Sequence, residues 1–125
     1  ILAAKRGAAS VLAIDNDPVC QSSAVENINL NDTPDIEVDC GSVDLIKSRE
    51  FDIILANINR NVLLEHLPAY VQSMKKNAFL YLSGFFVEED LEIIKEAAFA
   101  SGLVFDSHLE DGPWAAACFF VSSNC

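Results

Sequence analysis

"FDIILANINRNVLLEHL", residues 51–67, decides how the chain is read. Six residues from Phe51 suit a strand, Asn57 and Asn59 follow, and an amphipathic segment begins at once. A nearly continuous apolar strand is the pattern of parallel strands covered on both faces. The segment after it places Leu63, Leu67, Tyr70 or Val71, and Met74 on one stripe, as a helix packed on a sheet requires. Pro68 predicts a kink or a restart at Leu67. The two carboxamides separate by position. Asn59 stands where a helix N-cap belongs, since its side chain can accept an orphan backbone N–H. Asn57 falls too early for that. An uncharged strand end with a carboxamide can orient an amine through donors and acceptors without protonating it.

The flanks extend the pattern. "VLAID" (Val11–Asp15) reads as a buried strand stopped by an acid. Asp17-Pro18 then supplies an N-cap and a proline at the first helical position. That helix should run to about Leu30, with Val25 and Ile28 among its apolar positions. "IEVDC" (Ile36–Cys40) is a second strand, and 41–50 a connection. "KKN" reads as a turn and 78–85 as a strand ending near Ser83-Gly84. Residues 87–101 predict a helix with Leu91, Ile94 and Ala98 inward. Glu88, Glu89 and Asp90 lie in its first turn, where the helix dipole favours acids. "LVFDSHL" and "AAACFFV" close the chain as two strands joined by "EDGPW", a connection short enough to make them antiparallel neighbours. Strands alternating with helices give a doubly wound α/β fold, mostly parallel, with the last strand antiparallel. Ligands in such sheets sit beyond the carboxyl ends of the parallel strands. The candidates are therefore Asp15, residues 40–42, residues 57–59 and Ser83-Gly84.

Composition excludes several functions. The 125 residues allow one domain with a sizeable core, and no linker divides them. A net charge of -11 argues against direct nucleic-acid binding and is compatible with a basic partner. Cys20, Cys40, Cys118 and Cys125 form no C-x-x-C pair and no metal-ligand spacing, so no metal is expected. Two of them read as small core residues, and reduced thiols suit a cytoplasmic protein. No apolar run is long enough to span a bilayer. Asn31-Asp32-Thr33 fits a glycosylation acceptor but has no secretory context. "ILAAKRGA" resembles the last turns of a helix ending at Gly7. Helices that short need support from something before them, so the sequence reads as part of a longer chain.

Among the strand ends, a carboxylate at Asp15 can accept both hydroxyl protons of a ribose. The competing role, a helix-entry acid, is already filled by Asp17. Gly41 and Ser42 offer either backbone N–H groups to a flat base edge or an ordinary turn. His66 and His108 lack an acid–nucleophile arrangement and read as non-catalytic. Trp114 reads as a packing residue or a lid over the sheet edge.

These residues also match a known pattern. "VLAIDNDPVCQSSAVENINLN" resembles the second strand and following helix of class I S-adenosylmethionine-dependent methyltransferases. "FDIILANINRNVLLEHLPAYVQSMKKNAFLYLSGFF" is similar to the region of the fourth and fifth strands in the ribosomal protein L-eleven methyltransferase family (PrmA type). "GLVFDSHLEDGPWAAACFF" is similar to that family's terminal strand pair. The resemblance implies a Rossmann-like seven-stranded sheet of order 3-2-1-4-5-7-6 that binds S-adenosylmethionine. It implies methyl transfer to Lys ε-amino and N-terminal α-amino groups of one basic ribosomal protein. By position, Asp15 would bind the ribose hydroxyls, with Asn16 beside the adenine. Gly41 and Ser42 would lie near the base, although the family commonly shows Gly-Asp-Ala at 41–43. Asn57 would sit at the transfer site, against the methionine end of the cofactor or the incoming amine.

The family's first strand, its Gly-rich loop and its N-terminal substrate-recognition domain have no counterpart in residues 1–125. The chain is thus expected to be a partial methyltransferase domain. The strand ladders beside the absent strand are expected to end in unpaired edges. The alternatives are another class I N-methyltransferase and a truncated, non-catalytic nucleotide-binding module.

Overall fold

The computed structural model describes residues 1–122, so Cys125 lies outside the described residues. The chain divides into two compact units, Ile1–Leu45 and a second beginning at Ile46.

In the first unit, helix α1 (Leu2–Lys5) ends before Gly7, whose φ of 98° closes the turn. Strand β1 (Val11–Asp15) leads into α2 (Pro18–Leu30), and β2 (Ile36–Cys40) returns parallel to β1 in register Val11↔Ile36 to Asp15↔Cys40. The start of α2 follows its sequence signals: Asp17 Oδ1 accepts the Val19 N–H at 2.9 Å, with Pro18 as the first helical residue. Ile28 and Ile36 are buried, whereas Val25, expected on the inner stripe, is exposed.

The second unit holds β3 (Phe51–Asn57), α3 (Arg60–Gln72), β4 (Met74–Phe86), α4 (Val87–Ala100), β5 (Leu103–Asp111) and β6 (Trp114–Val121). Its sheet has the order β3-β4-β6-β5, with β3 and β4 parallel and β6 antiparallel to both β4 and β5. β1 and β3 are each an edge strand of their own ladder.

Two expectations about this unit change. Pro68 does not restart α3, which runs through it as one helix. The proline is exposed, so water can satisfy the carbonyl of the preceding turn that lacks its N–H partner. "KKN" is not a turn between elements but a wide bulge within β4. Phe51 pairs Met74 and Ile53 pairs Phe79, and Asn77 takes φ 63° to absorb the extra residues.

One face of the sheet makes the core. Leu80 and Leu82 of β4, Ala117 and Phe119 of β6, Leu63 and Leu67 of α3, and Ile94 and Ala98 of α4 are buried together. The opposite face carries Ile53, Leu55, Phe79 and Tyr81, all exposed, Leu55 to 67%. The expectation that residues 51–56 are covered on both faces therefore fails for this chain. Both helices of the unit settle on one side of the sheet, where α3 and α4 pack against each other and against β4. On the bare face, the Tyr81 phenol and the Cys118 thiol share a hydrogen bond. Cys118 is the buried cysteine among those described, while Cys20 and Cys40 are exposed.

Two tests follow from this asymmetry. Leu80→Ala, at 0% exposure, should cost about 2–5 kcal/mol in urea unfolding. Leu55→Ala should change this chain's stability by less than about 0.5 kcal/mol. Burial and the nearby Asp106 carboxylate raise the Cys118 thiol above its ordinary 9.0. The thiolate is therefore scarce at neutral pH, and iodoacetamide at pH 8 should label Cys118 more slowly than free cysteine, gaining rate only as pH rises further.

Candidate functional site

The end of β3 is fixed against the end of β4. Ile58 N–H donates to the Ser83 carbonyl at 3.1 Å, continuing the ladder one residue past Asn57↔Ser83. Gly84 follows with φ 89°, where an L side chain is strained. A Cβ at Gly84 would meet Asn57 Oδ1 at 2.6 Å and the Ile58 backbone N and O at 3.0 Å. Glycine here is thus a condition for Asn57 to lie where it does. Asn59 separates from Asn57 as its position predicts: its Oδ1 accepts the Val62 N–H at 3.1 Å and caps α3.

Asn57, Ser83 and Gly84 line a cavity of about 500 Å³ whose remaining walls come from the terminal hairpin: Leu109, Glu110, Asp111, Trp114, Ala115 and Ala116. Trp114 is half-exposed and stacks on Phe86, with ring centroids 4.5 Å apart and planes tilted by 35°. The packing role expected of it is met by this stack, and it also stands in the cavity wall. His108 Nε2 lies 3.0 Å from Glu110 Oε1, which holds that carboxylate on the hairpin. His66 Nδ1 faces the Tyr70 hydroxyl at 3.3 Å, and burial pushes that phenol above 10.0. The pair lies within α3 and does not line this cavity. The cleft thus offers a carboxamide, a glycine-opened strand end, an aromatic face and two carboxylates.

In the first unit, Asp15, Asn16 and Ser42 are exposed and Gly41 is half-buried. Asp15 and Gly41 come together: Gly41 N–H donates to the Asp15 carbonyl at 2.9 Å. One Asp15 carboxylate oxygen, Oδ1, accepts the Asp17 N–H at 2.9 Å, which fixes the bend through Asn16. Desolvation and the carboxylates of Asp15 and Asp17 raise the thiol of Cys20, which itself hydrogen-bonds Asp15. The Ser42 hydroxyl makes a turn, accepting Asp44 N–H at 3.3 Å and donating to Asp44 Oδ2 at 3.2 Å at the start of the 3-10 segment Val43–Ile46. Among the described residues, no group of three or more His, Cys, Asp or Glu side chains is arranged to hold a metal ion.

Ser83-Gly84 is one of the strand ends singled out from the sequence, whereas the hairpin walls were not foreseen as parts of a site. "EDGPW" carried the only signal, since an acid pair and a tryptophan at a turn stand out from the apolar strands around them.

An α/β unit with a β3-β4-β6-β5 sheet and a cleft at the carboxyl ends of its parallel strands defines the methyltransferase fold class. The solved structures agree. A ribosomal protein L11 methylase from Lactobacillus delbrueckii subsp. bulgaricus matches with a TM-score of 0.89 at 29% identity, over 94% of this chain and 61% of that one. The fold alone is shared with M. jannaschii TYW2, solved in complex with AdoMet, at a TM-score of 0.69 and 16% identity over 95% of this chain and 60% of that one. Residues 1–121 match the family described as Ribosomal protein L11 methyltransferase (PrmA), and the chain belongs to that family. A Ribosomal protein L11 methyltransferase from Phocaeicola vulgatus is 43% identical over 122 residues, covering 97% of this chain. The chain spans 43% of that relative's length.

The Gly84 contact can be tested directly. Gly84→Ala should lower stability by about 1–3 kcal/mol in thermal melts, from strain at positive φ and the clash with Asn57. Adding Asn57→Ala should recover the steric part but not the backbone part, a coupling that a double-mutant cycle measures.

Proposed function

We propose that the full-length protein containing this chain transfers methyl groups from S-adenosylmethionine to amino groups of a large-subunit ribosomal protein. The observation that carries this reading is the cleft built on Asn57, Ser83 and Gly84 in a chain belonging to the L11 methyltransferase family over residues 1–121. When bound, S-adenosylmethionine supplies an electrophilic methyl group on a sulfonium sulfur, which a neutral amine can take by direct displacement.

The residues present fit such a group. In the first unit, the Asp15 carboxylate stands exposed at the end of a parallel strand, with one oxygen already fixed by Asp17 N–H. It is oriented to accept ribose hydroxyl protons through charge-assisted hydrogen bonds. Asn16 is assigned to the adenine side of that bend. The Gly41 N–H is committed to Asp15 and the Ser42 hydroxyl to Asp44, so contact with the base there would fall to shape and to remaining backbone groups. In the second unit, Asn57 can accept a hydrogen bond from an amine through Oδ1 without giving it a proton. An amine held that way keeps the lone pair that must attack, and catalysis rests on positioning. The Glu110 and Asp111 carboxylates suit a cationic substrate segment, in keeping with a net charge of -11 and a basic protein partner. No described helix is long and apolar enough to cross a membrane. A ribosomal-protein substrate implies a cytoplasmic enzyme.

The full-length protein should incorporate labelled methyl groups from S-adenosylmethionine into purified ribosomal protein L11. Asn57→Ala should lower kcat about a hundredfold. Asp15→Ala should weaken cofactor binding about tenfold to a hundredfold by calorimetry, roughly the 1.5–3 kcal/mol of a charge-assisted hydrogen bond. Label entering other proteins or small amines but not L11 would overturn the substrate. Failure to bind S-adenosylmethionine would overturn the cofactor.

A further inference from the structure

Asp90 departs from its sequence role. As a first-turn acid it should face solvent and complement the helix dipole, as Glu88 and Glu89 do. Instead it is buried at 7% exposure, and its two carboxylate oxygens serve different partners. Oδ1 accepts from Arg60 Nη1 at 2.9 Å, and Oδ2 accepts the backbone N–H of Phe86 at 2.9 Å. Neither partner lines the cleft, but each adjoins a residue that does, Asn57 for Arg60 and Trp114 for Phe86. Arg60 opens α3, three residues after Asn57 and next to the Asn59 cap. Phe86 stacks on Trp114 across the sheet, and the adjoining Val87 N–H donates to the Pro113 carbonyl at 2.9 Å, securing the hairpin beside the tryptophan.

Burying a carboxylate costs it hydration, and an ion pair removed from water is weak evidence of stabilisation. Two other acids already meet the dipole, and this one also takes the N–H of Phe86, the residue that caps α4. What the arrangement yields is geometry. One side chain with both oxygens engaged fixes the Asn57 loop and the Phe86–Trp114 wall relative to each other.

Resting on the reading of the cleft as the transfer site, we propose that Asp90 and Arg60 are positioning residues for that reaction. They clamp the carboxamide of Asn57 and the indole of Trp114 into one geometry, so that the aliphatic stem of the target amine lies along Trp114 while its nitrogen meets Asn57. Neither residue lines the cleft. Their effect passes through the groups they hold.

The experiment uses the full-length protein with S-adenosylmethionine and purified ribosomal protein L11, labelled with 5-fluorotryptophan, the Trp114 resonance being assigned by its loss in Trp114→Phe. Asp90→Asn and Arg60→Met should lower kcat about tenfold to a hundredfold, as small misplacements of reacting groups do. Both should also shift or broaden the Trp114 fluorine resonance. Arg60→Lys, which keeps the charge although not the planar fork, should recover most of both signals. The clamp is refuted if Asp90→Asn and Arg60→Met leave kcat of the folded fraction and the Trp114 resonance unchanged, whatever they do to the melting temperature. If Asn57→Ala retains full activity, the transfer-site reading fails instead, and the Trp114 resonance of Arg60→Met still decides whether the clamp exists.

Discussion

The absence of a side chain at Gly84 is the constraint on which the second unit's site depends. β3 and β4 must end side by side for Ile58 to bond Ser83, and the chain must then turn sharply at φ 89°. Any Cβ there would occupy the space of Asn57 Oδ1 and the Ile58 backbone. With that contact in place, Asn59 is presented to cap α3, and Arg60 enters the helix within reach of Asp90. The strand end, the helix start and the half-buried ion pair form one sequence of consequences from a single missing methyl-sized group.

The two faces of the β3-β4-β6-β5 sheet show how burial is apportioned. The face under α3 and α4 is dry, with Leu80, Leu82, Phe119, Leu63 and Ile94 at 0% exposure. The other face presents Ile53, Leu55, Phe79 and Tyr81 to solvent. An apolar surface of that kind is uncommon on a self-sufficient monomer. The residues are suited to burial, and the chain spans 43% of the length of a curated relative. Hydrophobicity along β3 thus describes a residue's preference rather than its surroundings in these 125 residues.

Chemistry in the cleft comes from elements far apart in the chain. Asn57 and Ser83-Gly84 occupy the ends of adjacent parallel strands, where α/β sheets present their ligand-binding groups. Glu110, Asp111 and Trp114 arrive from the hairpin because β6 inserts between β4 and β5. This insertion brings Trp114 opposite Phe86, in register with the last residue of β4. In the proposed reaction, the acids on the hairpin and the uncharged carboxamide on the strand would differ in role for an electrostatic reason. Carboxylates attract a cationic segment at a distance, while an amine about to react must be held without a proton added to it.

Local sequence determined the elements, because their signals are short-range. Asp17-Pro18 starts α2, Asn59 starts α3, the stripes of Leu63–Leu67 and Leu91–Ile94 face the core, and the Asp-Gly connection folds the hairpin. It also singled out Asp15 and Asn57, since strand-end position depends only on where strands stop. Tertiary structure decided what depends on partners distant in sequence. It fixed which side of β3 is covered, turned "KKN" into a bulge rather than a turn, and carried Pro68 through a helix whose exposed side tolerates it. It also drew Asp90 inward to Arg60, thirty residues away. Nothing in "VEEDLE" distinguishes Asp90 from Glu88 and Glu89. Only the rotation of α4 on the sheet places one of the three beside a cation and a backbone N–H, where a carboxylate can be buried with both oxygens satisfied.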